Sequence, residues 1–276
     1  MPVPRLYEAF SEPREQWVHV LSTLLQLGGP ETRAALVAEL LGDPIEGTDQ
    51  MLVSERRVVG KGPDAVTLDI TVRSGEDWVI GVISDLCFDV DRGGAIGAAR
   101  GALGSAARTV LVVITPDRRQ PGDVTAAAET GEVIHKSWLR VRDWVQERPE
   151  RGAATGVDLA LLREAEYFYT PRVAELYRLE ELQPQVAPEL RGALASIFLA
   201  LNDLAPAPTI VHPTDATAEV RYPRTGDAKV TITTGGSVPV VAVDGGAEVT
   251  IDSEAALTAA RSQLLADARR VLPARK

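Results

Sequence analysis

The stretch from Lys61 to Asp91 constrains the fold more than any other part of the chain. Leu68, Ile70 and Val72 alternate with Asp69, Thr71 and Arg73, the period of two that a half-buried strand requires. Ser74-Gly75-Glu76-Asp77 has turn chemistry, since glycine tolerates positive φ and its neighbours solvate a loop. Trp78 to Val90 is apolar at nearly every position, as expected of a strand covered on both faces. The two runs read as a hairpin whose second strand lies inside a sheet. Helical patterns on either side complete an α/β class, with a mixed central sheet flanked by helices.

Asp69 would then lie beside the strand that carries Asp85. Ile83, Asp85, Cys87, Asp89 and Asp91 share parity and point to one face while that strand stays regular. A carboxylate near a sheet centre is costly unless it is paired, hydrogen-bonded or bound to a metal. Two readings follow. Asp69 and Asp85 form a cation site, or Asp85 begins the exit from the sheet and Asp89 and Asp91 stand in solvent.

Before the hairpin, Ser11 can cap a helix with Pro13 in its first turn and an apolar stripe of Trp17, Leu21 and Leu24. Gly28-Gly29-Pro30 ends it. Glu31 to Leu41 is a second helix, and Met51 to Val59 a strand. After the hairpin, Gly94, Gly97, Gly101 and Gly104 fall on one face of a helix. Each interior glycine costs a helix about 1 kcal/mol against alanine, so four predict that another backbone comes close. The spacing GGAIG is not the GxGxxG of a dinucleotide turn. A cleft lined by these glycines and taking a small ligand is a further, weaker reading. Thr109 to Ile114 is a buried strand reached by a right-handed crossover. Pro116 to Glu129 reads as a polar loop, Val133 to His135 as a strand, and Ser137 as the cap of a helix carrying Trp138 and Trp144. Leu159 to Tyr169 and Glu175 to Leu182 look helical.

Pro184 and Pro188 mark a boundary between a first domain, residues 1–183, and a second, 184–276. The second reads as a small α+β module. It has a helix over Glu189 to Leu204, four strands in an antiparallel meander (Ala218 to Tyr222, Lys229 to Thr233, Pro239 to Val243, Glu248 to Ile251), and a helix from Ser253 through Leu272.

Charge narrows the partners. The net charge of −10 and pI near 4.9 disfavour indiscriminate binding to nucleic acid or anionic membrane. The single cysteine, Cys87, excludes an intramolecular disulfide framework and any zinc site built on several cysteines. The first residues lack a basic-then-apolar signal and no apolar run is long enough to span a membrane, so a cytoplasmic location is expected. His19, His135 and His212 are far apart in sequence, and no GxSxG, HExxH or P-loop occurs.

In this order of elements, residues 5 to 180 resemble the PD-(D/E)XK nuclease-like superfamily. LYEAFSEPREQWVHVLSTLLQL resembles the family's first helix, which often carries an acidic residue near the site, and Glu15 matches it. LDITV resembles the strand bearing the metal-binding aspartate, which points to Asp69; Pro63-Asp64 spells the motif but sits in a turn. WVIGVISD resembles the next strand, where Glu-X-Lys is expected. The resemblance implies a restriction-endonuclease-like sheet and a Mg²⁺ site on two carboxylates, with a lysine beside it.

Here Ile83 stands at the glutamate position and Asp85 at the lysine position. The first change deletes an oxygen ligand; the second reverses a charge. The expected function is therefore a nuclease fold without catalytic activity, a scaffold that binds a protein partner through its C-terminal module and needs no cofactor. The alternative is a Mg²⁺-dependent DNA endonuclease of restriction or phage-defence type with a migrated site. That site would use Asp69, Asp85 and Glu15, with Asp89 in reserve and Lys136 or Lys61 as the cation. Whether the chain forms oligomers stays open.

Overall fold

A computed structural model describes residues 13–59, 66–88, 92–104, 106–129, 131–150, 156–178, 209–214, 217–221, 229–233, 240–243 and 248–250, and positions 263, 266, 267 and 270. The chain divides into two compact units. One is Met1–Asp85 with Asp89–Val173; the other is Leu86–Phe88 with Ala174–Lys276. Among the described residues no helix is long and apolar enough to cross a membrane.

The first unit is α/β. Its sheet contains β1 (Leu52–Val59), β2 (Val66–Ser74), β3 (Trp78–Ser84), β4 (Arg108–Thr115) and β5 (Val133–Ser137), in that spatial order. β1, β2 and β3 run antiparallel as a meander, while β4 is parallel to β3 and β5 parallel to β4. The Ser74–Trp78 hairpin closes as its turn chemistry predicts, with Gly75 at φ 52. The helices are α1 (Pro13–Leu27), α2 (Pro30–Leu41), α3 (Gly93–Ala102), α4 (Gly122–Ala128), α5 (Trp138–Glu150) and α6 (Gly156–Arg178).

Every residue of β3 is buried, which is why its sequence lacks alternation. Val79 and Ile83 pack with Leu111, Val113 and Val133 under α3 and α4. The intervening Ile80, Val82, Val110 and Val112 are equally buried on the other face. That face is covered by helices that share an aromatic cluster. Trp17 of α1 meets Trp138 of α5 edge-on at 4.8 Å, and Trp138 stacks on Tyr169 of α6 at 5.9 Å. Such ring pairs contribute about 0.5–1.5 kcal/mol each beyond their buried area. The Tyr169 hydroxyl donates to the Trp17 carbonyl at 2.7 Å, and its complete burial pushes its pKa well up.

Three expectations change. The glycine face of α3 meets no other backbone among the described residues: Ile96, Ala99 and Leu103 point inward, and a Cβ on Gly94, Gly97 or Gly101 would touch none of those residues within 4 Å. The close approach is at Gly81 of β3 instead, where a Cβ would lie 2.5 Å from the Leu103 side chain. The segment read as a polar loop contains α4, whose single buried anchor, Val124, is too short a pattern to register as periodic. The helical runs after Leu159 are one helix, α6, which continues through Pro171.

In the second unit, β6 (Thr209–Thr214), β7 (Thr217–Arg221), β8 (Lys229–Thr233), β9 (Val240–Val243) and β10 (Val249–Thr250) form an antiparallel meander. It has five strands rather than four. The added one, β6, contains Pro213, and its register shifts between Val211 and Thr214, as an edge strand permits. Phe88 meets Tyr177 edge-on at 5.6 Å. The helix expected over 189–204 lies outside the described residues. Of the last helix, Gln263, Ala266, Asp267 and Arg270 are helical.

Candidate functional site

Asp69 is buried, 4% exposed, near the middle of β2. Its carboxylate is fully engaged. The Arg14 guanidinium, from the first turn of α1, donates to both oxygens at 2.8 and 2.9 Å. Oδ2 also accepts from the Ser84 backbone N–H at 2.6 Å and the Ser84 hydroxyl at 2.8 Å. Both contacts come from one nitrogen, Nη2, which straddles the carboxylate in a charge-assisted contact. The residue after Arg14 makes a second such link, Glu15 to Arg56 at 2.5 Å. The first turn of α1 thus lends Arg14 to an acid on β2 and Glu15 to a base on β1.

The backbone explains why Asp69 faces α1. Strict alternation would send it the same way as Arg73, yet Arg73 donates to the Leu103 carbonyl at the end of α3. Leu68 in turn packs with Ile83 under α3. The alternation slips between Asp69 and Ile70. Across from the slip, between Glu55 (paired with Ile70) and Arg57 (paired with Leu68), Arg56 has φ 48, a conformation uncommon outside glycine.

Asp85 is held elsewhere. Its backbone extends the ladder, N–H to the Ile114 carbonyl at 2.9 Å, and its carbonyl accepts from the Trp138 indole at 2.8 Å. Its carboxylate lies 3.3 Å from Nε of Arg92, just before α3. Arg92 is 6% exposed and also lies 3.6 Å from Asp117, beyond the end of β4. The Arg92 backbone N–H donates to Asp123 of α4 at 2.5 Å. Thr115 accepts from the Asp117 N–H at 3.1 Å and bonds His135 Nε2 at 2.9 Å. Burial pushes the His135 pKa down, against the pull of Asp117 and Asp123 and with Arg92 and Lys136 adding to it. These groups cluster where the parallel strands β3, β4 and β5 end, the usual ligand edge of such sheets.

The sequence-derived site is therefore split. Glu15 and Asp69 come to one neighbourhood, each neutralised by an arginine. Asp85 is met by Arg92, just before α3, and Asp69 by Arg14 of α1. Lys136 is on β5, with β3 and β4 between it and β2, roughly 14 Å from Asp69 at 4.8 Å per strand. It lies 3.9 Å from Glu39 of α2, and burial lowers its pKa. Ser137 accepts from the Arg140 N–H at 3.2 Å, as the cap of α5 should. His19 contacts Glu55 at 3.4 Å, His212 is in β6, and Cys87 is buried. Lys61, Asp64, Asp89 and Asp91 lie outside the described residues.

A divalent cation does not fit this arrangement. Asp69 already serves three donors, Ile83 is buried among apolar side chains, and Arg14 and Arg56 already bring positive charge to Asp69 and Glu15. Among the described residues no three His, Cys, Asp or Glu side chains are grouped to hold a metal. The residues sequence reasoning missed are Arg14, Arg56, Ser84 and Arg92. Arg14-Glu15 in one helical turn was the available signal, an adjacent base and acid at the start of α1. No protein-family model matches this chain, and neither a curated protein nor a solved structure is similar to it.

Proposed function

We propose that this chain has a restriction-endonuclease-like fold that does not hydrolyse phosphodiesters and serves as a scaffold, binding a protein partner through its C-terminal module. The order of elements supports the ancestry: a helix, a three-strand meander with Asp69 in its middle strand, a crossover helix and a parallel strand. One observation carries the loss of activity, the Arg14 guanidinium nitrogen on both oxygens of Asp69. A guanidinium there supplies internally the positive charge that a nuclease takes from its ion, and it cannot polarise a phosphate or activate water. The outermost strands of the second sheet, β6 and β10, offer backbone groups to which a partner's strand could add.

The test is cleavage of supercoiled, linear and single-stranded DNA with Mg²⁺ or Mn²⁺, comparing the native chain with Asp69→Ala. No cutting above the variant's background is expected. Metal-dependent cutting that Asp69→Ala abolishes would establish the endonuclease reading instead.

A further inference from the structure

β1 is an outer strand of the first sheet, and among the described residues no strand lies beyond it. Such an edge presents backbone N–H and C=O groups to which another strand can add. Leu52 is 75% exposed, more than any other large apolar side chain among the described residues, and Ser54 and Arg56 are exposed as well. The edge is also self-complementary. Leu52-Val53-Ser54-Glu55 runs into Arg56-Arg57-Val58-Val59. An antiparallel copy centred between Glu55 and Arg56 would set Leu52 opposite Val59, Val53 opposite Val58, Ser54 opposite Arg57 and Glu55 opposite Arg56. Apolar pairs and opposite charges across strands are favourable. Centring the two copies on Arg56 or on Glu55 would instead oppose like charges, which is unfavourable.

A regular strand could not use this register. Residues directly opposite one another point to the same face of a sheet, and side chains alternate along a strand. A two-fold centred between two residues pairs odd positions with even ones, which in a regular strand face opposite ways. Arg56 removes the mismatch. Glu55 points to α1, where it meets His19 and Ser22. Position 57 pairs with Leu68, which packs under α3, so positions 55 and 57 face opposite ways despite equal parity. Arg56, left-handed at φ 48, reaches Glu15 of α1 at 2.5 Å and so faces the same way as Glu55. The slip falls at the centre of the pairing, and every opposed pair then shares a face. The Arg56 conformation thus suits this one register.

We propose that two copies of this chain pair antiparallel through β1, joining their five-stranded sheets into one continuous sheet, with Glu55 of each opposite Arg56 of the other. The proposal uses the first unit alone and is independent of the nuclease ancestry, so the two can fail separately.

The experiment is sedimentation equilibrium of the full chain from low to high micromolar concentration. The native chain should form a dimer. Glu55→Arg and Arg56→Glu should each weaken association about tenfold or more, since the two-fold counts each change twice. An equimolar mixture of the two variants should associate again, because arginine then stands opposite glutamate at both places. A folding defect would not be cured by mixing. Leu52→Asp, at an exposed position, should weaken the dimer while the melting temperature of the dilute chain stays the same. The proposal is overturned if the native chain remains a monomer, if its dimer survives both charge reversals or is indifferent to Leu52→Asp, or if the mixture fails to associate. A monomer would mean that Arg56 bends the edge to keep other strands away.

Discussion

Asp69 lies on β2 and Asp85 just past the end of the neighbouring β3, yet the protein handles their charges differently. Asp69 is held by Nη2 of Arg14 on both its oxygens and by two bonds from Ser84, all between 2.6 and 2.9 Å. Asp85, past the end of β3, keeps a side chain 28% exposed and shares Arg92 with Asp117 at 3.3 and 3.6 Å. The first is a fastener between α1 and the sheet. The second is a looser field of charges at the sheet's edge. The slip in alternation opposite Arg56 turns Asp69 towards α1, where Arg14 meets it, while Asp85 is met by Arg92.

If Asp69 is a fastener, its loss should have the largest effect of any single change at either place. Asp69→Ala removes a charge pair and leaves the Ser84 donors unsatisfied in a buried position, at a cost of about 3 kcal/mol. Asp85→Ala should cost under about 1 kcal/mol, because the side chain is partly hydrated and its contact is long. Urea unfolding of the two variants compares them directly. Equal costs would erase the distinction.

The edge cluster has its own weak point, the buried cation rather than either acid. Arg92→Met leaves Asp85 and Asp117 facing each other without a guanidinium and should cost about 2 kcal/mol. Adding Asp85→Asn should return part of that loss, since the repulsion is then relieved. A strictly additive pair of changes in the same unfolding experiment would mean the charges are screened from one another.

Parts of this contrast could be read from sequence and parts could not. The hairpin, the buried β3 and the crossover strand β4 declare themselves through period, turn residues and apolar runs, all local signals. α6 concealed its length because Pro171 falls inside it, and β6 because Pro213 does. The Arg14–Asp69 pair joins residues 55 apart and leaves no periodic trace. The resemblance drew attention to Asp69 and Glu15, but it looked for an ion above them and not for two arginines. Parity orders Ile83 and Asp85 along their own strand, but it cannot foresee the slip between Asp69 and Ile70 opposite the left-handed Arg56.

A smaller effect tests the edge cluster through protons. Burial lowers the His135 pKa in the folded chain, whereas an unfolded histidine titrates near 6.5. Above about pH 6.5 both states are neutral there and His135 adds no pH dependence. As pH falls through that value the unfolded chain takes the proton first, so stability drops until the folded pKa is passed. Asp117 and Asp123 oppose the shift while Arg92 and Lys136 reinforce it, so Arg92→Met should shrink it. The difference in unfolding free energy, native minus His135→Gln, should fall between neutral and mildly acid pH. A difference that instead grows as pH falls would show that the cluster stabilises the imidazolium.

The smallest change should run the other way. Gly97 sits in the middle of α3 with nothing among the described residues within 4 Å of where a Cβ would be, so no contact among them requires glycine there. Gly97→Ala should raise stability by up to about 0.8 kcal/mol through helix propensity alone, seen as a higher urea midpoint with an unchanged slope. Unlike Asp69→Ala, it touches no charge, no core side chain and no strand, so it calibrates how much of any measured loss is specific to the carboxylates. A destabilised Gly97→Ala would mean that the open face of α3 is closed in solution by something that needs the backbone bare, and would turn attention from the aspartates to whatever covers that helix.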